Sequence, residues 1–167
     1  KTEFPRALLN SLMIAFLTTV CCLLISILGS YAMTRLKYPG RRFFKTSIIF
    51  SYLIPTAVLF VPMYVFVSKL GFYDNKWALL IIYPTTVVPY CCYMLMSYFK
   101  AIPYALEEAA LIDGCTRMKS LRYIITPIAL PGIAVVATFA FTMSWNEYLY
   151  AMIMTTSPAQ QTAVVAI

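Results

Sequence analysis

Charge is missing from this chain in four long blocks. No Asp, Glu, Lys or Arg falls between Arg6 and Arg35, between Lys45 and Lys69, between Lys76 and Lys100, or between Arg122 and Glu147. Each block exceeds the roughly 20 apolar residues that cross a hydrocarbon core of about 30 Å. The pattern predicts four membrane-spanning helices, over 8–33, 46–68, 77–99 and 127–150. The fold class is all-α, a polytopic transmembrane helical bundle, with 1–167 read as a single transmembrane domain. The first block is too long for a secretory signal and has no small-residue cleavage site, so it reads as a permanent helix.

Turn residues separate the blocks. Tyr38-Pro39-Gly40 marks a turn in the first loop, and the loop "KLGFYDNKW" places Gly71, an aromatic cluster and Trp77 at a membrane interface. Three of the spans carry paired prolines: Pro55 and Pro62, Pro84 and Pro89, Pro127 and Pro131. Each ring removes a backbone hydrogen bond and favours a kink. Two readings stand: irregular helices around a pathway, or kinks that only shape packing.

Composition agrees with a membrane location. The chain is 62% hydrophobic and 11% charged, with a mean hydropathy of +0.80. Its net charge of +7 is concentrated in two loops. The first carries Arg35, Lys37, Arg41, Arg42 and Lys45 and no acid; the third carries Lys100, Arg117, Lys119 and Arg122 beside three acids. Lys- and Arg-rich short loops stay in the cytoplasm, so the first and third loops are inside. The sparsely charged middle loop, with Lys69, Asp74 and Lys76, and the tail, with Lys1, Glu3 and Arg6, are outside. Basicity here encodes orientation and excludes a nucleic-acid role. Both chain ends then face outward, which leads us to expect a fragment: at least one helix before Lys1, and a further span after the charge-free run from Tyr148 to Ile167. Four of the five cysteines lie in apolar runs and histidine is absent. Neither a disulfide framework nor a metal site is expected.

The longest polar interval, about 101–122, contains "EEAALIDGCTRMK" over 107–119. Pro103 suits the first position of a helix. Glu107 and Glu108 fall in its early turns, where the helix dipole favours acids. Ala109, Ala110 and Leu111 are strong helix formers. Gly114 can end the helix in the left-handed conformation, and Thr116 can cap a second one. The expectation is a short helix, a glycine bend and a second helix feeding the fourth span. Leu106, Ala109, Ala110 and Asp113 recur at helical spacing and make a small, mildly apolar face suited to a groove on another protein. The alternative, a helix lying on lipid, is disfavoured by two adjacent acids against an anionic leaflet.

Glu108-Ala109-Ala110, Gly114, Ile124 and Thr126-Pro127 resemble the EAA loop of binding-protein-dependent ABC importer permeases, the MetI-like transmembrane domain. The family pattern ends in Leu-Pro, where this chain has Thr126-Pro127. "LLNSLMIA", "TRLKYPGRR", "VPMYVFVSKLGFYDN" and "SWNEYLYAMIM" resemble the carbohydrate-uptake branch, typified by maltose and glycerol-3-phosphate permeases. The resemblance implies a MetI-like ABC permease core of six helices, of which this chain would hold the second to fifth. It implies four partners in the membrane and beside it: a second homologous permease, two cytoplasmic ATPase subunits and an extracytoplasmic solute-binding protein. It also implies that the EAA loop is the coupling helix: Glu108 contacting a basic group on an ATPase, Ala109 and Ala110 permitting close approach, Gly114 setting the bend. The full coupling loop is Pro103, Leu106, Glu107, Glu108, Ala109, Ala110, Asp113 and Gly114. The chain has no G-x-x-x-x-G-K-[ST] phosphate loop. It is expected to bind no cofactor itself, with ATP and Mg used by the partner ATPase.

Further candidates lie toward the outer side. Glu147, with Trp145 and Asn146, is the only acid after Arg122; a pathway or gate, a structural hydrogen bond and an interface position all remain open. Leu70, Gly71, Phe72, Tyr73 and Asp74 are a possible contact for the binding protein. The implied function is the permease subunit of an ABC importer for a sugar or related solute, not an enzyme. The alternatives are a related importer for another solute class (amino acid, polyamine or phosphonate), or an ion-coupled transporter with Glu147 as carrier. With no His, H-E-x-x-H or G-x-S-x-G, residue types for intramembrane catalysis are lacking.

Overall fold

The computed structural model describes residues 4–167; Lys1 and Glu3 of the outer tail lie outside the described residues. The long helix α1 (Phe4–Arg35) is followed by α2 (Arg41–Leu53) and α3 (Thr56–Lys69). A short 3-10 turn, Lys76–Ala78, leads into α4 (Leu79–Ala101). Next come α5 (Tyr104–Ile112), α6 (Arg117–Ser120), a π-helical turn (Leu121–Ile125), α7 (Thr126–Ile128) and α8 (Leu130–Trp145). The chain closes with α9 (Leu149–Met154) and α10 (Ala163–Ala166). The fold is all-α, and no strand occurs among the described residues.

Among the described residues two helices are long and apolar enough to cross a membrane alone, Phe4–Arg35 and Lys76–Ala101. The other two predicted spans are broken. Over 46–68, α2 and α3 meet at 99°, and over 127–150 the Arg117–Ile128 segment meets α8 at 81°. Counting each bent pair as one span gives four. The first break has a local cause: Ile54, just before Pro55, is extended (φ −73°, ψ 121°), as steric conflict with a following proline ring demands. Pro62, Pro84 and Pro89 sit inside α3 and α4 without ending them. In the fourth region α8 stops at Trp145, before the predicted limit of the span.

The centre of the molecule is the seam between α1 and α4. Along α1 the buried positions include Ala7, Ser11, Ala15, Thr18, Cys22, Ser26 and Ser30, three or four residues apart and all small. Its outward face carries Leu9, Leu12, Phe16, Leu24 and Leu28, all exposed. Small residues inside and bulky apolar residues outside is the arrangement of a helix that packs in lipid, where close backbone approach replaces the hydrophobic effect. The Ser26 hydroxyl donates to the Val88 carbonyl at 3.5 Å and Ser30 to the Cys92 carbonyl at 3.1 Å, the same sequence separation of 62 both times. A constant separation means that α1 and α4 run parallel, as the loop charges require of the first and third spans. Cys22, Cys91 and Cys92 are buried, and all five cysteines are free. Cys22 and Cys91 fill the seam as small hydrophobes, with Leu95, Phe99, Val136 and Ala140 completing the core against α8, and Cys92 packs beside them with Met33 and Met96.

A second core lies at the other end of the molecule, where Ile14, Val67, Leu79, Ile82, Tyr83, Tyr150 and Met154 pack together. The segment after α9 folds back over the start of α1. The Asn10 amide donates to the carbonyls of Ala159 (3.2 Å) and Gln161 (3.0 Å), and Lys76 donates to the Asn10 side-chain oxygen at 2.8 Å.

Candidate functional site

The polar interval forms a compact device at the end of the molecule where the two basic loops meet. Pro103 (φ −55°) precedes the first turn of α5, one position earlier than a helix-starting proline. At the far end Gly114 has φ +84°. Its N–H donates to the Leu111 carbonyl, and the Cys115 N–H to that of Ala110 at 2.9 Å. This paired termination needs a left-handed residue, which glycine supplies without steric cost. The Thr116 hydroxyl then accepts from the Lys119 N–H and caps α6.

The predicted face of α5 divides in two. Leu106, Glu108, Ala109, Asp113 and Gly114 are exposed, and Ile112 stands 86% exposed at the tip. Ala110 instead turns inward and is buried, because it lies on the same side of the helix as Glu107. The exposed patch is therefore centred on Ala109 and extended by Ile112, a residue that the face reading omitted.

Glu107 is the unexpected element. It is fully buried, beneath the very helix whose other acid is exposed. The Tyr31 hydroxyl donates to its Oε1 at 2.5 Å. Arg117 Nη1 donates to the same oxygen at 3.4 Å, and Arg35 Nε faces Oε2 at 3.8 Å. Arg35 is itself buried, and its Nη2 donates to the carbonyls of Phe99 (2.5 Å) and Ile102 (2.6 Å) at the end of α4. The Tyr104 ring covers the Arg35 guanidinium at 5.3 Å. A charge so deeply placed needs such company, since removing one partner of a buried pair typically costs about 3–5 kcal/mol. Tyr31 and Arg35 are one helical turn apart at the foot of α1. Nothing in the local pattern of 101–122 reveals them as partners; the available signal was a Tyr and an Arg four residues apart at the end of an apolar run.

Glu108 lies on the rim of an open groove of about 630 Å³, with Leu36, Lys37, Tyr38, Tyr104 and Arg117 among the lining residues. Two cations beside one exposed acid give this groove a mixed-charge border.

The outer candidates have other surroundings. Glu147 accepts hydrogen bonds from the N–H groups of Tyr150 (3.1 Å) and Ala151 (3.3 Å), and so caps α9. Around it Ser11, Tyr83, Ser144, Trp145 and Thr162 close in and leave no water-sized space. Among the described residues the Tyr83 and Thr162 hydroxyls there have no hydrogen-bond partner. Trp145 stacks on Phe141 with ring centroids 5.7 Å apart, and Asn146 is exposed at the end of α8. In the outer loop Leu70, Gly71 and Tyr73 are exposed, while Phe72 packs against the second core. Asp74, at φ +49°, accepts from the Ser157 N–H at 2.8 Å and from the Ser157 hydroxyl. Those two donors hold its carboxyl below the usual carboxylate range.

Against known proteins, residues 25–167 match the family described as binding-protein-dependent transport system inner membrane component. The chain is 35% identical, over 95% of its length and 56% of the relative, to the inner membrane ABC transporter permease protein YcjP of Escherichia coli. It is 37% identical to the sulfoquinovosyl glycerol transport system permease protein SmoH of Agrobacterium fabrum, over 96% of this chain and 56% of that one. To the trehalose transport system permease protein SugB of Mycobacterium tuberculosis it is 34% identical, over 98% and 60%. The chain thus spans a little over half the length of these relatives. Among solved structures, a bacterial ABC transporter involved in import of the acidic polysaccharide alginate shares the fold, with a TM-score of 0.89 at 24% identity over 99% of this chain and 58% of that one.

Proposed function

Because this chain belongs to the family of binding-protein-dependent transport system inner membrane components, we propose that it serves as a permease subunit of an ABC importer for a sugar or related solute. In this reading it works beside a second, homologous permease, and an extracytoplasmic binding protein delivers the solute. Two ATPase subunits use ATP and Mg on the cytoplasmic side, and one of them docks on the 101–122 loop. The chain transports and does not catalyse; as a member of an inner-membrane family it sits in the cytoplasmic membrane as a multi-pass protein.

One observation carries the coupling part of this reading. A nine-residue helix stands at the basic, cytoplasmic end with Leu106, Ala109 and Ile112 exposed while its base is locked into the bundle by Glu107. Anchored on one side, the helix offers on the other an apolar patch of the kind that seats in a groove on a partner. Relatives named for trehalose and sulfoquinovosyl glycerol transport support the sugar class.

The test is uptake into vesicles that contain the intact transporter. Removing internal ATP should stop uptake, and collapsing the proton gradient at constant ATP should leave it unchanged. Loss of uptake on collapse alone would favour an ion-coupled mechanism, with Glu147 as the group to examine.

A further inference from the structure

Force applied to α5 has two ways into the bundle. The covalent route runs through Gly114 and α6, changes to a π-helical turn over Leu121–Ile125, and bends by 81° before α8. π turns and sharp bends are joints, where a push along the axis becomes a change of angle. The second route is not covalent. Tyr31 and Arg35 of α1 and Arg117 of α6 converge on the buried Glu107 carboxylate. Arg35 simultaneously holds the last carbonyls of α4.

We propose that Glu107 is a latch residue, through which movement of the docking helix is delivered to α1 and α4 instead of along the jointed path to α8. The inference rests on the reading of α5 as the ATPase-docking helix. Glu107 acts here as a positioning residue, since it is buried away from the exposed face of α5. Three features suit it to the task. The Arg35–Glu107 contact is buried on both sides, where separating charges is costly, so it resists load better than a surface pair, while Arg117 closes the cluster from its half-exposed edge. It grips α1 at its foot, the end nearest the ATPases. Finally, α1 and α4 are pinned in parallel register by Ser26 and Ser30, so a displacement at Tyr31 and Arg35 carries both helices.

The experiment uses the intact transporter in proteoliposomes with its binding protein and compares wild type, Glu107→Gln, Tyr31→Phe and the double variant. The readout is ATP hydrolysed per solute moved. Hydrolysis should stay near the wild-type rate while uptake falls about tenfold in Glu107→Gln and about threefold in Tyr31→Phe, within the range expected for coupling residues. The ratio of ATP to solute therefore rises. The double variant should be no worse than Glu107→Gln, because both groups lie on one route. A merely structural role would lower the amount of assembled transporter and both rates together, leaving the ratio unchanged. Tyr31→Phe keeps the ring and removes only the hydroxyl; an unchanged ratio in that variant overturns the proposal even if Glu107→Gln fails to assemble. Absence of ATP-driven uptake in the wild type would instead overturn the functional reading itself.

Discussion

Glu107 and Glu108 are adjacent in the chain and opposite in environment. The first is fully buried against Tyr31 and Arg35; the second is exposed at the edge of the groove that Lys37 and Arg117 border. A helix turns about 100° per residue, enough to send neighbours to different sides of a thin element. On the proposed reading the pair separates two jobs, with Glu107 anchoring the helix and Glu108 facing the partner that docks on it.

Reversing the exposed charge should disturb docking and nothing else. Glu108→Lys is expected to leave the protein in the membrane at normal abundance and to cut ATP-dependent uptake by at least about tenfold, the scale of a mismatched interfacial charge. Parallel measurements of membrane abundance, uptake and ATP hydrolysis check this; a normal uptake rate would remove Glu108 from the coupling role.

Gly114 turns with φ +84° and has open space where a side chain would stand. The cost of Gly114→Ala is then backbone strain alone, about 1–2 kcal/mol. Gly114→Asn should cost less, since asparagine tolerates the left-handed region. Thermal unfolding of the purified variants in detergent should rank them glycine, asparagine, alanine.

Gly132 is a matter of space. A Cβ at that position would come within 2.5 Å of the Tyr98 ring, close to the base of a side chain that cannot simply swing its tip aside. Gly132→Ala should push α8 away from α4 at a cost of about 1–3 kcal/mol. Combining it with Tyr98→Ala should recover part of the loss, and an additive double variant would refute the clash.

Asp74 ties the outer loop to the segment after α9 through Ser157. Its carboxyl is held below the ordinary value of 3.8. The sign follows: the tie contributes fully above the unfolded value and is lost as pH falls through the lower, folded one. Hydrogen exchange over 155–162, corrected for its intrinsic pH dependence, should accelerate only below about pH 4, given the unfolded Asp reference. In Asp74→Asn it should show no such acid step.

What could be read from the chain in advance divides by range. Gly114 and Thr116 obey local rules of helix ending and capping, and the structure realises both at those positions. The charge-free blocks likewise locate α1 and α4, whose apolar length is a property of consecutive residues. The burial of Glu107 was not legible, because its partner Tyr31 lies 76 positions away. Nor was the inward turn of Ala110, which follows from Glu107. Proline alone did not mark the breaks: Pro55 coincides with a 99° bend, while Pro84 and Pro89 ride within α4, where the packing against α1 and α8 holds the helix together.

The two serine contacts between α1 and α4 also set a gauge for length. They lie four residues apart on each helix, and Tyr31 and Arg35 follow on the same stretch of α1. One residue inserted between Ser30 and Tyr31 would rotate everything beyond it by about 100°, taking Tyr31 from Glu107 and Arg35 from the end of α4 in a single step. The same insertion at 37–39 would fall in a loop and leave those contacts intact. The 37–39 connection can thus absorb a change in length that the foot of α1 cannot.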